Sequence, residues 1–385
     1  MCTRLLDKKN TNGFFFNSDQ LAQLPDATKI LLANSAARFR KLTPVVAGLF
    51  ASPFATLLHL PNCTELDPLD LTAILDKCLS PDLVHLHLGL CGRGLTDTTA
   101  MSFSRVDGRV VGLASLRSLT LTGAYKLTDT GLTNMLHDLP SLSELNLVDC
   151  TRAVTPSILE CLPQKLPQLR VLDLTGSNNI HDDGLRTWLT SLPQETTRLE
   201  TLRLARVTAV NDGVLAALPS SLHSLDLSRC IKLTEIGLAT HLVHLINLRS
   251  LVLDHVTKGV TDMVLGSLFA HLAQLEELSL VWCNRLSSAG IQNAFSRRKC
   301  RLKSLNLNHV TALDDLCLAA LATEDSLEIL DISWCSALST DAVGHLIDRC
   351  SSLRRLNAWG CSQRILTKSL RYGHTNSKLE LCPDV

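Results

Sequence analysis

The chain has 385 residues, with 37 Lys and Arg set against 37 Asp and Glu and a formal net charge of +0. That balance excludes a strongly basic polyanion binder and gives no argument for nucleic acid or acidic lipid as the main partner. No run of roughly 18 apolar residues suggests a membrane span, and the polar start, interrupted by Asp7, Lys8, Lys9 and Asn10, does not read as a secretion signal.

In chain order, residues 1–52 stand apart from the rest of the chain. Leu21 to Phe39 carries helical spacing and is predicted as one helix. A second helix is expected to begin at Thr43-Pro44, where the Thr43 hydroxyl suits a cap and proline suits the first helical position. It would carry Val45, Val46, Leu49 and Phe50. These helices are expected to form an N-terminal cap over the apolar end of the next region, as solenoid caps do.

Residues 53–370 repeat. A degenerate Leu-x-x-Leu-x-Leu-x-x-Cys segment recurs in frames beginning at Leu83, Leu116, Leu142, Leu169, Leu199, Leu222, Leu248, Leu275, Leu302, Leu327 and Leu353, with a weaker frame from Ala55 to Cys63. About 12 repeats of about 26 residues are the signature of an α/β leucine-rich-repeat solenoid, a horseshoe with parallel strands on the concave side and helices on the convex side. The Leu-x-Leu centre reads as a short strand with its leucines inward. Leu95-Thr96-Asp97, Leu127-Thr128-Asp129, Val210-Asn211-Asp212 and Val260-Thr261-Asp262 then read as helix starts, with Thr or Asn as cap and Asp in the positive first turn. Residues 371–385 close the array as a C-terminal cap or tail, with Leu379 and Leu381 as a last worn strand.

Seven of the 14 cysteines (Cys63, Cys91, Cys150, Cys230, Cys283, Cys335 and Cys361) share one repeat position, which Ala124, Ser177, Val207, Val256 and Val310 fill elsewhere. Exchange among small and apolar residues marks a buried free thiol. No Cys-x-x-Cys pair suggests zinc. Reduced thiols place the chain in the nucleus or cytoplasm and argue against secretion.

Catalytic signatures are absent: no Gly-x-Ser-x-Gly, His-Glu-x-x-His or Walker loop occurs. The acid pairs Asp182-Asp183 and Asp314-Asp315 fall at helix starts and read as capping groups. The expectation is a non-enzyme with no metal and no cofactor.

The candidate site lies in two columns of the repeat. The residue between the central leucines includes Arg203 and Asp331. The second residue past the last leucine runs Leu90, Gly123, Asp149, Gly176, Arg206, Arg229, His255, Trp282, His309, Trp334 and Gly360, with Trp359 one place earlier. At strand spacing, Trp282, Trp334, Trp359, His255 and His309 are expected to form one strip, flanked by Arg206 and Arg229, and exposed Trp and Arg anchor protein interfaces. The alternative is that the rings only cover the loop layer beneath them. A second cluster, Arg297, Arg298, Lys299, Arg301 and Lys303, is a candidate phosphate rim or a solvated edge.

Cys at the ninth repeat position, with Leu-Thr-Asp after it, resembles the cysteine-containing leucine-rich repeats of F-box proteins and their relatives. Arg40-Lys41-Leu42-Thr43-Pro44, Leu60-Pro61-Asn62-Cys63-Thr64-Glu65-Leu66, Cys91-Gly92 and Leu356-Asn357-Ala358-Trp359-Gly360-Cys361 are similar to the repeat region of Rad-type nucleotide excision repair proteins. That resemblance implies a non-enzymatic substrate-recognition or scaffold subunit of a cullin-type ubiquitin ligase linked to DNA repair. It also implies an elongin-C-like or Skp-type adaptor and a Snf2-type ATPase as partners. Two further readings stay open: a structural subunit of a large stable assembly, and DNA contact through the basic C-terminal rim.

Overall fold

A computed structural model describes residues 18–104, 113–192, 197–297, 299–322, 326–361 and 380–381. The chain divides into two units, residues 1–184 and 185–385.

The first unit opens with three helices, α1 (Ser18–Ala22), α2 (Asp26–Arg38) and α3 (Pro44–Phe50). The helix expected over Leu21 to Phe39 is therefore two. Pro25 separates them, because its ring excludes the carbonyl of Leu21 and it has no N–H to continue the helix. It opens α2 instead, its carbonyl accepting from the Thr28 and Lys29 amides. Thr43 caps α3 by accepting from the Val46 amide. α2 packs against β1 (Leu57–Leu60), where His59 Nε2 meets Asn34 Oδ1 at 3.0 Å.

From there strand and helix alternate: β1, α4 (Pro68–Cys78), β2 (His85–Leu88), α5 (Asp97–Ala100) with a 3-10 turn at Met101–Ser104, β3 (Ser118–Thr122), α6 (Asp129–Met135), β4 (Glu144–Val148), α7 (Pro156–Lys165) and β5 (Val171–Asp173). The strands are parallel and pair in sequence order. Their register aligns Leu58, Leu86, Leu119, Leu145 and Leu172, all buried. The helix α8 (Asp182–Ser191) contains the division between units and buries Trp188, the one tryptophan outside the candidate strip.

The second unit continues the pattern with β6 (Thr201–Arg203), α9 (Asp212–Leu215), β7 (Ser224–Asp226), α10 (Glu235–His241), β8 (Ser250–Val252), α11 (Asp262–His271), β9 (Glu277–Ser279), α12 (Ser288–Arg297), β10 (Ser304–Asn306), α13 (Asp315–Leu321), β11 (Ile329–Asp331), α14 (Thr340–Arg349), β12 (Arg355–Asn357) and β13 (Glu380–Leu381). Leu202, Leu225, Leu251, Leu278, Leu305, Leu330, Leu356 and Leu381 share one register column. The worn strand expected at Leu379 and Leu381 is β13; Leu379 itself lies outside the described residues. Each fully buried leucine of such a column contributes about 1.5–3 kcal/mol, so stacking supplies the core that one repeat lacks.

The ninth-position cysteines are free thiols pointing into this core. Each reaches a main-chain carbonyl, mostly of the preceding repeat: Cys230 donates to Leu204 O at 3.3 Å, Cys283 to Leu253 O at 3.3 Å, Cys335 to Leu307 O at 3.3 Å and Cys361 to Ile332 O at 3.0 Å. Ser177 does the same with Leu147 O at 3.0 Å. Burial pushes Cys63, Cys230, Cys283 and Cys335 up to about 12.

The helix starts differ from the sequence expectation in one respect. Thr96 and Asn211 cap their own helices, accepting from Thr99 N and Val214 N. Thr128 and Thr261 do not. Their hydroxyls donate back to the acid of the preceding repeat, Thr128 to Asp97 at 2.7 Å and Thr261 to Glu235 at 2.5 Å. The acid at the helix start therefore tethers the next helix as well as facing its own dipole. Asp212 accepts from Thr234 N at 3.0 Å and Thr234 Oγ1 at 2.5 Å, and Asp262 from Ser287 N at 2.8 Å and Ser287 Oγ at 2.6 Å. Asp314, one of the acid pairs, caps α13 through Cys317 N at 3.0 Å.

Candidate functional site

The strand-to-helix turn decides what the site looks like. From the repeat that begins at Leu83 onward, the residue after next past the last inward apolar residue has a left-handed backbone. In the first unit these are Leu90, Gly123, Asp149 and Gly176; in the second they are Arg206, Arg229, His255, Trp282, His309, Trp334 and Gly360, with φ between 47° and 73° across both sets. The turn closes with the amide of the following residue donating to the last inward leucine, as in Val207 N to Leu204 O at 3.1 Å and Cys230 N to Leu227 O at 3.1 Å. A positive φ at the third residue of such a turn is the place for glycine. Glycine does fill it at Gly123, Gly176 and Gly360. A side chain there costs about 1–2 kcal/mol, yet six consecutive repeats of the second unit carry Arg, His or Trp.

The same residues continue the ladder past the strands. Arg206 N donates to Ser228 O, Arg229 N to Asp254 O, His255 N to Val281 O, Trp282 N to Asn308 O, His309 N to Ser333 O and Trp334 N to Trp359 O, all between 2.7 and 3.0 Å. Main-chain bonds thus hold the side chains at repeat spacing, and the rings stack. His255 and Trp282 lie 5.9 Å apart and 16° from parallel, Trp282 and His309 4.2 Å and 12°, His309 and Trp334 5.2 Å and 33°. Trp334 and Trp359 meet edge to face at 4.4 Å and 88°. A Cβ at Gly360 would stand 2.5 Å from the Trp334 ring, so glycine at that place lets Trp334 lie across the turn and moves the last tryptophan one residue earlier, to Trp359.

At its other end the stack terminates on a cation. Arg229 Nη2 lies 3.2 Å from His255 Nε2. A guanidinium only donates, so Nε2 is the acceptor and the proton of His255 sits on Nδ1. Burial and then the Arg229 charge hold His255 below the usual imidazole range. Trp282, Trp334 and Trp359 are each about 40 % exposed, at 41, 40 and 42 %. Each ring thus combines contact with its neighbours and a partly exposed surface. The carboxylates nearby are engaged: Asp226 accepts from Ser228 N at 2.9 Å, Asp254 from Ser279 Oγ at 2.6 Å and Val281 N at 3.0 Å, and Asp331 from Ser333 N at 2.9 Å and Asn357 Nδ2 at 3.1 Å.

The structure therefore brings His255, Trp282, His309, Trp334, Trp359 and Arg229 into one ladder, with Arg206 next in the same column. Arg203 sits on β6 in register with Asp226, and Asp331 sits on β11. Both face out between inward leucines, on strands apart from each other in the sheet order. The basic cluster is elsewhere. Arg297, Lys299, Arg301 and Lys303 precede β10, at the opposite end of the strands from the rings, and are exposed; Arg298 lies outside the described residues. Lys303 pairs with Glu276 at 2.9 Å, and Arg354 on the same side with Glu328 at 3.6 Å. Rings and basic cluster lie at opposite ends of the strands.

Two grooves separate helices of the second unit, of about 540 Å³ between α11 and α12 and about 470 Å³ between α13 and α14. The cap residues Asp262, Ser287, Asp315 and Ser339 in their linings are bonded within the fold, and Asn293 and Arg297 in the first groove and Asp341, His345 and Arg349 in the second complete the polar lining. Among the described residues no group of His, Cys, Asp and Glu is placed to hold a metal ion, and no helix is long and apolar enough to cross a membrane.

In-register parallel strands, one helix or turn per repeat and a buried thiol at the ninth position define a cysteine-containing leucine-rich-repeat protein. The proteins it is similar to include two kinds. The DNA repair protein rhp7 of Schizosaccharomyces pombe is 26% identical over 335 residues, which cover 83% of this chain and 56% of that protein. F-box/LRR-repeat protein 12 of Mus musculus is 27% identical over 176 residues, 46% of this chain and 52% of that protein. The chain thus spans about half the length of the curated relatives it matches. In the crystal structure of the yeast Rad7 and Elc1 complex, one chain superposes with a TM-score of 0.68 at 20% identity, over 95% of this chain and 90% of that one, which shows a shared fold. No family model matches the chain.

Proposed function

We propose that this chain is a non-enzymatic protein-binding subunit that works in nuclear DNA repair, recognising a protein partner through the ring ladder of its second unit. The observation that carries the reading is the left-handed column. Six repeats in succession hold Arg, His or Trp where the backbone favours glycine, and strain of this kind clusters at binding sites. The relatives support the setting: rhp7 is a DNA repair protein, and Rad7 has been crystallised with Elc1.

On this reading residues 1–52 cap the array, 53–370 form it and 371–385 close it. An elongin-C-like adaptor docks on the N-terminal helices and joins the chain to a cullin-type ubiquitin ligase, with the ladder choosing the substrate or a Snf2-type ATPase. Leu31, Val45 and Phe54, at 62, 62 and 82 % exposed, give the adaptor an apolar surface in the first unit. The test is affinity purification of the intact chain and of a Trp282→Ala, Trp334→Ala, Trp359→Ala variant. An elongin-C-type adaptor is expected with both, and a second set of partners with the unaltered chain alone. Partners of one large stable assembly, without an adaptor, would replace this reading with a structural-subunit role.

A further inference from the structure

The ladder ends at Trp334 and Trp359 in a corner unlike the rest of it. Up to Trp334 successive rings lie within 12° to 33° of parallel. Trp334 has His309 on one side. On the other it covers Gly360: the point that a Cβ there would occupy is 2.5 Å from Cδ2 and Cε3 and 2.9 Å from Cε2, which only a position above the ring face satisfies. Trp359 stands at 88° to Trp334 with the centroids 4.4 Å apart, and among the described residues no ring lies parallel to it. Two partly exposed indoles thus meet at a right angle, as two walls of a notch.

A carboxylate stands beside this notch. Asp331 faces out of β11, half-buried and in register with Asn357. Its Oδ1 accepts from Ser333 N at 2.9 Å and its Oδ2 from Asn357 Nδ2 at 3.1 Å, while Ser333 Oγ accepts from Trp359 N at 3.2 Å. A carboxylate has about four lone-pair sites, so these bonds leave Asp331 able to accept a further donor. The cations nearest in sequence are engaged: Arg354 pairs with Glu328 at 3.6 Å, and Arg355 also has a partner within the fold. Arg229 precedes Trp359 by five strands, on the order of 24 Å at strand spacing.

We infer that this notch seats an arginine side chain of the partner protein; the inference rests on the protein-binding reading above. Ring faces are the negative part of an aromatic quadrupole, and tryptophan is the best ring for a cation within about 6 Å of its centroid. A guanidinium in the angle lies within that reach of both rings. Its plane stacks on Trp359, and its fixed fork of N–H donors turns to Asp331. A lysine ammonium, compact and strongly hydrated, offers no plane to stack. A nucleic-acid strand fits less well. A base stacked on Trp359 would carry its phosphates past a carboxylate, and the basic cluster of this unit stands at the far end of the strands.

The test begins with a displayed library of random peptides of roughly 12 residues, about 40 Å when extended, selected on the full chain. Selected peptides are expected to share an arginine. Replacing it by citrulline, which keeps the shape and removes the charge, should weaken binding about tenfold or more in anisotropy titrations. Trp359→Leu and Asp331→Asn in the chain should do the same; asparagine keeps an acceptor for Ser333 N, and far-UV circular dichroism confirms that each variant is folded. The citrulline and Asp331→Asn effects should not add, because each removes the same pair. Peptides without a shared arginine, citrulline peptides that bind as well as their parents, effects that add, no binder that depends on Trp359, or displacement of the peptides by an oligothymidylate would overturn the inference. The two levels separate in the capture experiment. Partners lost on the Trp282, Trp334, Trp359 substitution but kept by Asp331→Asn leave the protein-binding reading standing and remove the arginine. Partners unaffected by the triple substitution remove both.

Discussion

Replacing Gly237 by Ala should destabilise the protein, against the ordinary rule for helices. Alanine within a helix is favoured over glycine by about 0.8–1.0 kcal/mol. Gly237 stands in the first turn of α10, and a Cβ there would lie 2.1 Å from the carboxylate carbon and Oδ1 of Asp212 and 2.6 Å from Oδ2. That carboxylate is held in place by Thr234 N at 3.0 Å and Thr234 Oγ1 at 2.5 Å. The methyl group must push Asp212 away and break both bonds, at about 0.5–1.5 kcal/mol each for exposed pairs. Allowing for alanine's propensity, a net loss of up to about 2 kcal/mol is expected. The double variant Asp212→Ala, Gly237→Ala has no carboxylate to displace, so adding Gly237→Ala to Asp212→Ala should be neutral or stabilising. Urea unfolding of the four proteins, read as midpoints, closes the cycle, with an expected coupling of about 1–3 kcal/mol. Single changes that add within about 0.5 kcal/mol, or a Gly237→Ala protein more stable than the unaltered chain, would refute the steric tether. Gly290 over Asp262 and Gly131 over Asp97 repeat the geometry at 1.9 and 2.3 Å and should behave alike.

The ladder gives a second test. Trp334→Gly loses ring contacts worth about 0.5–1.5 kcal/mol apiece and the burial of a ring that is 40 % exposed, and recovers about 1–2 kcal/mol of backbone strain, so a moderate fall in Tm with a folded chain and lost partner capture is expected; capture that survives the substitution would make the rings structural. In the first unit His59, 4.5 Å from His87 with the rings tilted by 32°, is held down to about 4, first by burial and then by the His87 charge. An unfolded histidine takes up its proton near pH 6.5, so the stability that neutral His59 contributes is present above pH 6.5 and is lost as pH falls toward 4. A His59→Gln variant should show a flatter Tm profile over that window, and an unchanged slope would count against it. Among the described cysteines, half-buried Cys161 should react first with a thiol reagent in the native protein, ahead of Cys230 and Cys283; rapid native labelling of Cys230 would contradict the buried-thiol ladder.

The fold was readable because the signal repeats. Leucine spacing recurs often enough that the strand register, with Leu305 beside Leu278 and Leu330, follows from stacking identical frames. The interchange of Cys, Ser, Ala and Val at the ninth position likewise told burial from disulfide pairing. Single events were harder. Pro25 splits a helical spacing that looked continuous, because one missing N–H outweighs the apolar pattern around it. Thr128 and Thr261 looked like caps for their own helices, whereas a partner one repeat away wins their hydroxyls. The glycines three residues after Thr128, Thr234 and Ser287, namely Gly131, Gly237 and Gly290, carried part of that information: helix positions emptied of side chain to admit the acid of the previous repeat. The sequence pattern also put the basic residues and the tryptophans in adjacent repeats, and only strand direction shows that they occupy opposite ends.

The same column explains why function could be approached from the sequence at all. Gly123, Gly176 and Gly360 mark a turn position where the backbone is left-handed, so any larger side chain in that column is there in spite of the local preference. Leu90 and Asp149 do so singly in the first unit. In the second, the run from Arg206 to Trp334 is unbroken, changes from cation to ring along its length, and is followed by Gly360, whose missing Cβ makes room for Trp334. Stacking contributes about 0.5–1.5 kcal/mol per pair beyond the area the rings bury, set against strain of about 1–2 kcal/mol per residue. What the run adds to the surface is a row of partly exposed rings and guanidinium groups at fixed spacing, and the departure from glycine in six successive repeats is the observation on which the protein-binding proposal rests.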